Sequence, residues 1–142
     1  MPDWVARGTD EYARRLPGRW GFRLREHAQA KADDGPTRRR REGQTLLGAL
    51  DARAHVVALD ERGRAHDTAG LAARLALWEG LGKPVELVVG GPDGLDESVR
   101  ERADETWSLS PLTFPHPLVR VLVLEQLYRA DSLASNHPYH RA

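Results

Sequence analysis

Apolar residues recur along the chain in two rhythms, the three-to-four-residue spacing of a helix face and short unbroken runs flanked by turn residues. Val5, Thr9, Tyr12 and Leu16 predict a first helix, capped by Asp3 and stopped by Pro17 and Gly18. Trp20, Phe22 and Leu24 alternate and predict a half-buried strand over 20–26. The polar stretch 28–36 reads as loop. A helix over 37–54 begins with four arginines and carries Leu46, Leu47 and Leu50 on one face, although Gly43 and Gly48 weaken it. "HVVALDERG" and "VELVVGG" predict buried strands, and "TWSLS" a third short one. Between the first two lies a helix with Thr68 as its cap, Leu71, Leu75 and Trp78 on one face, and Gly82 and Pro84 at its end. A short charged helix capped by Asp96 precedes the third strand. The last helix runs from Pro117, the favoured first position, through "PLVRVLVLEQLYRADSLA".

Strands alternating with helices predict an α/β fold, a mostly parallel sheet flanked by helices, in one domain over residues 1–142. No internal repeat is present. The last helix is apolar nearly all round, with Leu118, Val119, Val121, Leu122, Val123, Leu124, Leu127 and Tyr128. One sheet covers only one face of a helix, so a second subunit is expected to cover the other.

Composition narrows the function. Lys plus Arg equals Asp plus Glu at 21 each, so no global charge draws the chain to nucleic acid or membrane. Cysteine is absent, which excludes disulfides and thiolate metal sites. No apolar run is long enough to span a bilayer, and a cytoplasmic protein is expected. Arg38 to Arg41 form the one strongly basic block. It suits phosphate contact, against the plainer reading of a solvated helix start; cations at a helix amino end oppose the macrodipole, which favours a functional reason.

Two loops stand out. "VVGGPDGL" opens from the carboxyl end of a strand, where ligands bind in α/β sheets, and its glycines allow close backbone approach. It lacks both GxGxxG and GK[ST] spacing. The plain alternative is a tight turn into a helix. "SLSPLTFPHP" is apolar and stiffened by three prolines, suited to a pocket wall or to a rigid connection. The tail "SNHPYHRA" concentrates polar chemistry where chain ends are usually dull. His137 and His140 lie too irregularly to define a metal site, and imidazole serves acid–base work equally well.

Taken together, "MPDWV", "LD", "GGPDGL", "WSLSPLTFPHPLVRVLVLEQLYRA" and "NHPYHR" closely resemble the ribosomal RNA large-subunit methyltransferase H family, the smallest SPOUT methyltransferases. The resemblance implies a C-terminal trefoil knot, otherwise almost absent from proteins, and a homodimer. It also implies a strand of about ten residues ahead of the Met1–Val5 segment, missing from this sequence. The implied reaction moves a methyl group from S-adenosylmethionine to N3 of a pseudouridine in 23S rRNA of the assembled ribosome, with no metal and no membrane.

Carried over by motif, the cofactor contacts implied are Leu59, Gly91, Ser110, Pro111, Leu112, Thr113, Phe114 and Pro115. Tyr139, His140 and Arg141 would form the substrate side, docked beside the cofactor of the same or the other subunit; His116 and Arg129 are weaker candidates. The N3 of a pyrimidine-dione is a poor nucleophile until its proton leaves. His140 or Tyr139 is expected to handle that proton, and Arg141 or Arg129 to steady the resulting charge. Two rival readings remain, a noncatalytic RNA- or ribosome-binding dimer using the basic block, and a metal-dependent hydrolase built on His116, His137 and His140.

Overall fold

A computed structural model describes residues 1–141, with only the backbone of Arg141. The chain forms two compact units, each assembled from separate segments.

The first unit comprises residues 1–24, 66–81 and 117 onward. Its helices are α1 (Asp3–Ala13), α3 (Thr68–Glu79) and α5 (His116–Ala134), of which His116 itself falls in the other unit. Val5 and Thr9, one turn apart, are buried on α1, and Thr9 returns its hydroxyl hydrogen to the Val5 carbonyl at 2.9 Å. Gly8 on the same helix faces Val121 of α5 so closely that a Cβ there would stand 3.1 Å from Cγ2. Leu71, Leu75 and Trp78 bury one face of α3, as their spacing predicts. Asp67, not Thr68, caps that helix and accepts from the Gly70 amide at 2.7 Å. On α5 the buried side chains are Val123, Leu124, Leu127, Ala130 and Ser132, while Leu118, Val119, Val121 and Leu122 are only half-buried.

The strand expected over 20–26 does not form. Gly18–Trp20 is a 3-10 turn, and Gly21 follows at φ 60°, a left-handed conformation incompatible with an extended run. Trp20 and Arg19 both donate to Glu79 at 3.0 Å, which ties the turn to the end of α3, and Leu24 stays exposed. Alternation over three residues was too short a signal to outweigh the glycine.

The second unit, residues 25–65 and 82–116, holds the sheet. β1 (His55–Ala65) lies between β2 (Val85–Val88) and β3 (Glu105–Ser108), and both pairings are parallel. Val56 and Ala58 point to one face, where they join Ala54, Val88, Leu95 and Val99 in a core. Leu46, Leu47 and Leu50 of α2 (Gly35–Ala49 and its cap) and Ala103 after α4 (Glu97–Arg102) close over it. Both caps are aspartates: Asp34 accepts from the Thr37 amide at 2.7 Å and Asp96 from the Ser98 amide at 3.2 Å. The earlier cap starts α2 two residues before the expected position.

β1 runs beyond its expected end. It leaves β3 after Leu59, which is level with Trp107, and rejoins it with Arg64 beside the same Trp107. Gly63 permits the return, since a Cβ there would fall 2.6 Å from the Thr106 carbonyl carbon. Among the described residues no helix is long and apolar enough to cross a membrane.

Candidate functional site

Because the three strands are parallel, their carboxyl ends share one edge of the sheet. Of the residues expected to touch cofactor, Gly91 lies three residues beyond β2 and 110–115 leave β3, while Leu59 is the last residue of β1 before its pairing with β3 breaks. The carboxyl edge is the one at which α/β sheets bind ligands.

The GGPDG turn is closed by the Gly94 amide donating to the Gly91 carbonyl at 3.0 Å, with Gly94 at φ 81°. Gly90 is required by packing: a Cβ there would lie 2.7 Å from the Gly94 carbonyl carbon. One stripe of α2 runs along the turn. A Cβ on Gly35 would meet Asp93 Oδ1 at 2.9 Å, Arg38 donates to both Asp93 oxygens at 3.0 and 3.3 Å, and Glu42 Oε2 lies 3.0 Å from the Cβ position of Gly91. Gly43 then brings the helix against Asp96, whose Cβ is 2.8 Å from where its own would be. The Arg38 bond holds the Asp93 carboxyl below the usual carboxylate range.

Three of the four arginines of the basic block have partners within the protein, while Arg40 is exposed. Arg38 also donates to the Ala32 carbonyl at 2.9 Å, Arg41 to the Lys31 carbonyl, and Arg39 sits 4.0 Å from Asp96. Its position in the second turn of α2, after the true cap, also removes the expected conflict with the helix dipole.

The proline loop after β3 is fixed locally. Ser108 donates to the Ser110 carbonyl at 3.1 Å, the Leu112 amide to the Ser110 hydroxyl at 3.0 Å, and Thr113 to Glu61 at 3.1 Å. Leu112 projects 69% exposed, and Phe114 is half-buried.

The tail belongs to the first unit and is docked there. α5 ends in an αL turn at Asn136, φ 58°, with His137 donating to Ser132 O at 2.7 Å and Asn136 to Leu133 O at 3.2 Å. Pro138–Arg141 then form a 3-10 turn. The Tyr139 hydroxyl donates to Glu125 Oε1 at 3.1 Å and lies 3.2 Å from that of Tyr12. Its ring meets Tyr128 at 4.5 Å, with the Arg129 guanidinium 5.0 Å from its centre. Burial, then the bonds to Tyr12 and Glu125, push the phenol well above its ordinary range. Arg129 is itself bound to Glu125 Oε1 at 2.6 Å. His140 Nδ1 faces the His137 carbonyl. The Arg141 side chain, expected at the site, lies outside the described residues. Among the described residues no group of three His, Asp or Glu gathers as a metal site, and His116 falls in the other unit from His137 and His140.

Glu42 was missed by sequence reasoning. The available signal was Gly43, a mid-helix glycine that marks close approach of another segment.

A family model described as "Predicted SPOUT methyltransferase" matches residues 1–140. Ribosomal RNA large subunit methyltransferase H of Methylococcus capsulatus is 52% identical over 99% of this chain and 93% of its own. The proteins of that name from Alkalilimnicola ehrlichii and Thioalkalivibrio sulfidiphilus are 52% and 49% identical, over 100% and 99% of this chain and 93% and 92% of theirs. The solved SpoU methyltransferase AviRb from Streptomyces viridochromogenes, in complex with AdoMet, is 19% identical with a TM-score of 0.41, covering 68% of this chain and 34% of that one.

Proposed function

The chain belongs to the SPOUT methyltransferase family and, within it, to the ribosomal RNA large-subunit methyltransferase H family, and on that premise we propose that it methylates N3 of a pseudouridine in 23S rRNA of the assembled ribosome, with S-adenosylmethionine as donor and a homodimer as the working form. The observation that supports the reading is the parallel sheet topology, in which Leu59 precedes the break in β1–β3 pairing, Gly91 follows β2 and the 110–115 loop follows β3. Half-buried Leu118, Val119 and Leu122 on α5, with Trp4 51% exposed, support the dimer.

The residues fit the donor. A side chain on Gly91 would fill the space beside Glu42, so the turn offers bare backbone, and Leu112 and Phe114 offer apolar surface for a flat ring. When bound, the donor supplies an electrophilic methyl on a positively charged sulfur. Leu59, Gly91 and Ser110, Pro111, Leu112, Thr113, Phe114 and Pro115 would hold it.

The chain must then relieve N3 of its proton. The Nδ1 of His140 is taken up by the His137 carbonyl, which leaves Nε2 to face the substrate, and on this reading His140 accepts the proton. Tyr139, held protonated, orders the tail, and Arg141 steadies charge on the base carbonyls.

Calorimetry with S-adenosylmethionine, followed by mass spectrometry of 23S rRNA from treated ribosomes, tests the reading. His140→Ala is expected to slow methyl transfer by about a hundredfold with donor affinity preserved. Unchanged turnover removes His140 from the chemistry. A wild-type chain that binds no donor overturns the enzyme reading in favour of a noncatalytic ribosome-binding dimer.

A further inference from the structure

Glu42 brings to the Gly91 turn a carboxylate oxygen that the fold leaves without a hydrogen bond. Its Oε1 is sealed from solvent with no hydrogen-bond partner among the described residues, and its Oε2 adjoins Gly91. Folded proteins nearly always pair such atoms, because leaving one unpaired costs stability. The neighbouring carboxylates are satisfied, Asp93 by Arg38 and Asp96 by Ser98. Arg38, one turn back on α2, is committed to Asp93 and Ala32.

We propose that Glu42 supplies the negative charge against which a cationic ligand is held at the Gly91 turn, so that the site separates the methyl donor, a sulfonium cation, from its spent product, a neutral thioether. The inference rests on the cofactor reading above. The carboxylate, with one oxygen sealed from water, acts through the turn without touching the ligand. The attraction ends when the methyl leaves, which favours release of product over donor.

Calorimetry of the full chain with S-adenosylmethionine and with S-adenosylhomocysteine is the test. Both ligands carry the same amino-acid and adenosine groups, so their affinity ratio isolates the sulfonium charge. Glu42→Gln should lower the donor-over-product ratio by about tenfold, and Glu42→Asp should keep most of it. Retained product affinity shows that the variant site is intact. An unchanged ratio overturns the inference, including the case where both affinities fall together, because that is the signature of a purely structural side chain. A wild-type chain that binds neither ligand overturns the cofactor reading and this inference with it.

Discussion

Tyr139→Phe removes one hydroxyl from the docked tail and leaves its ring in place. The hydroxyl donates to Glu125, and a hydrogen bond to a charged acceptor contributes about 1.5–3 kcal/mol. Glu125 keeps Arg129 at 2.6 Å, so its carboxylate is not stranded, and the lower end, about 1.5 kcal/mol, applies. The open fraction of the tail then rises about tenfold. Tyr139→Ala also removes the ring contact with Tyr128 and the cation–π contact with Arg129, raising the loss to about 3 kcal/mol and the opening by on the order of a hundredfold. Hydrogen exchange of the His137, Tyr139 and His140 amides reads the opening, and methyl transfer to ribosomes reads its consequence. A tail that is mostly closed stays mostly closed in the phenylalanine variant, so turnover should fall less than about threefold while exchange quickens about tenfold. The alanine variant should lose both protection and turnover. If Tyr139→Phe abolished transfer with the amides still protected, the phenol would belong to the chemistry, and its assignment as a docking group would be wrong.

Gly90→Ala should lower Tm by about 5 °C or more, because its Cβ would meet the Gly94 carbonyl carbon at 2.7 Å and backbone must move to admit it; an unaltered Tm in thermal unfolding would show that the turn has slack. Asp104 accepts the Val56 amide at 2.8 Å, and that bond holds its carboxyl below the usual range. The folded state thus prefers the ionised form, so the contribution is present above the unfolded pKa of about 3.9 and is lost as pH falls through the lower folded value. Urea midpoints of wild type and Asp104→Ala should differ at pH 7, and the gap should begin to narrow as pH falls below about 4; a pH-independent gap would rule out the linkage. The side chain is 41% exposed, so screening keeps the difference below about 1 kcal/mol.

Much of this was legible in the residues because it depends on local chemistry. Val56 to Leu59, Val85 to Val88 and the short run at Trp107 gave three strands, and the Leu71, Leu75, Trp78 spacing gave a buried helix face. Motifs named the cofactor-side candidates, of which Gly91 and 110–115 follow the parallel strands β2 and β3. What escaped depends on contacts distant in sequence. The strand expected at 20–26 gave way to a glycine in the left-handed region and to Glu79, some sixty residues away. Arg38 looked like a phosphate contact because its partner, Asp93, lies 55 residues on. Asp67 displaced Thr68 as a cap because adjacent residues offered equivalent chemistry, which spacing alone does not rank.

The stripe on α2 explains why a turn of three glycines can be a defined site. Such a turn has little side-chain packing of its own, and its backbone would otherwise sample many conformations. Residues 35, 38, 42 and 43 return to the same side of one helix, and each bears on segment 91–96. That same face continues into Leu46, Leu47 and Leu50, which pack on the sheet core. The turn is therefore referenced to the sheet through a rigid element, which holds a ligand contact more tightly than a free loop does. On this argument Arg38, Arg39 and Arg41 are part of the scaffold of the Gly91 turn, answered within the unit by Asp93, Asp96 and the carbonyls of Lys31 and Ala32.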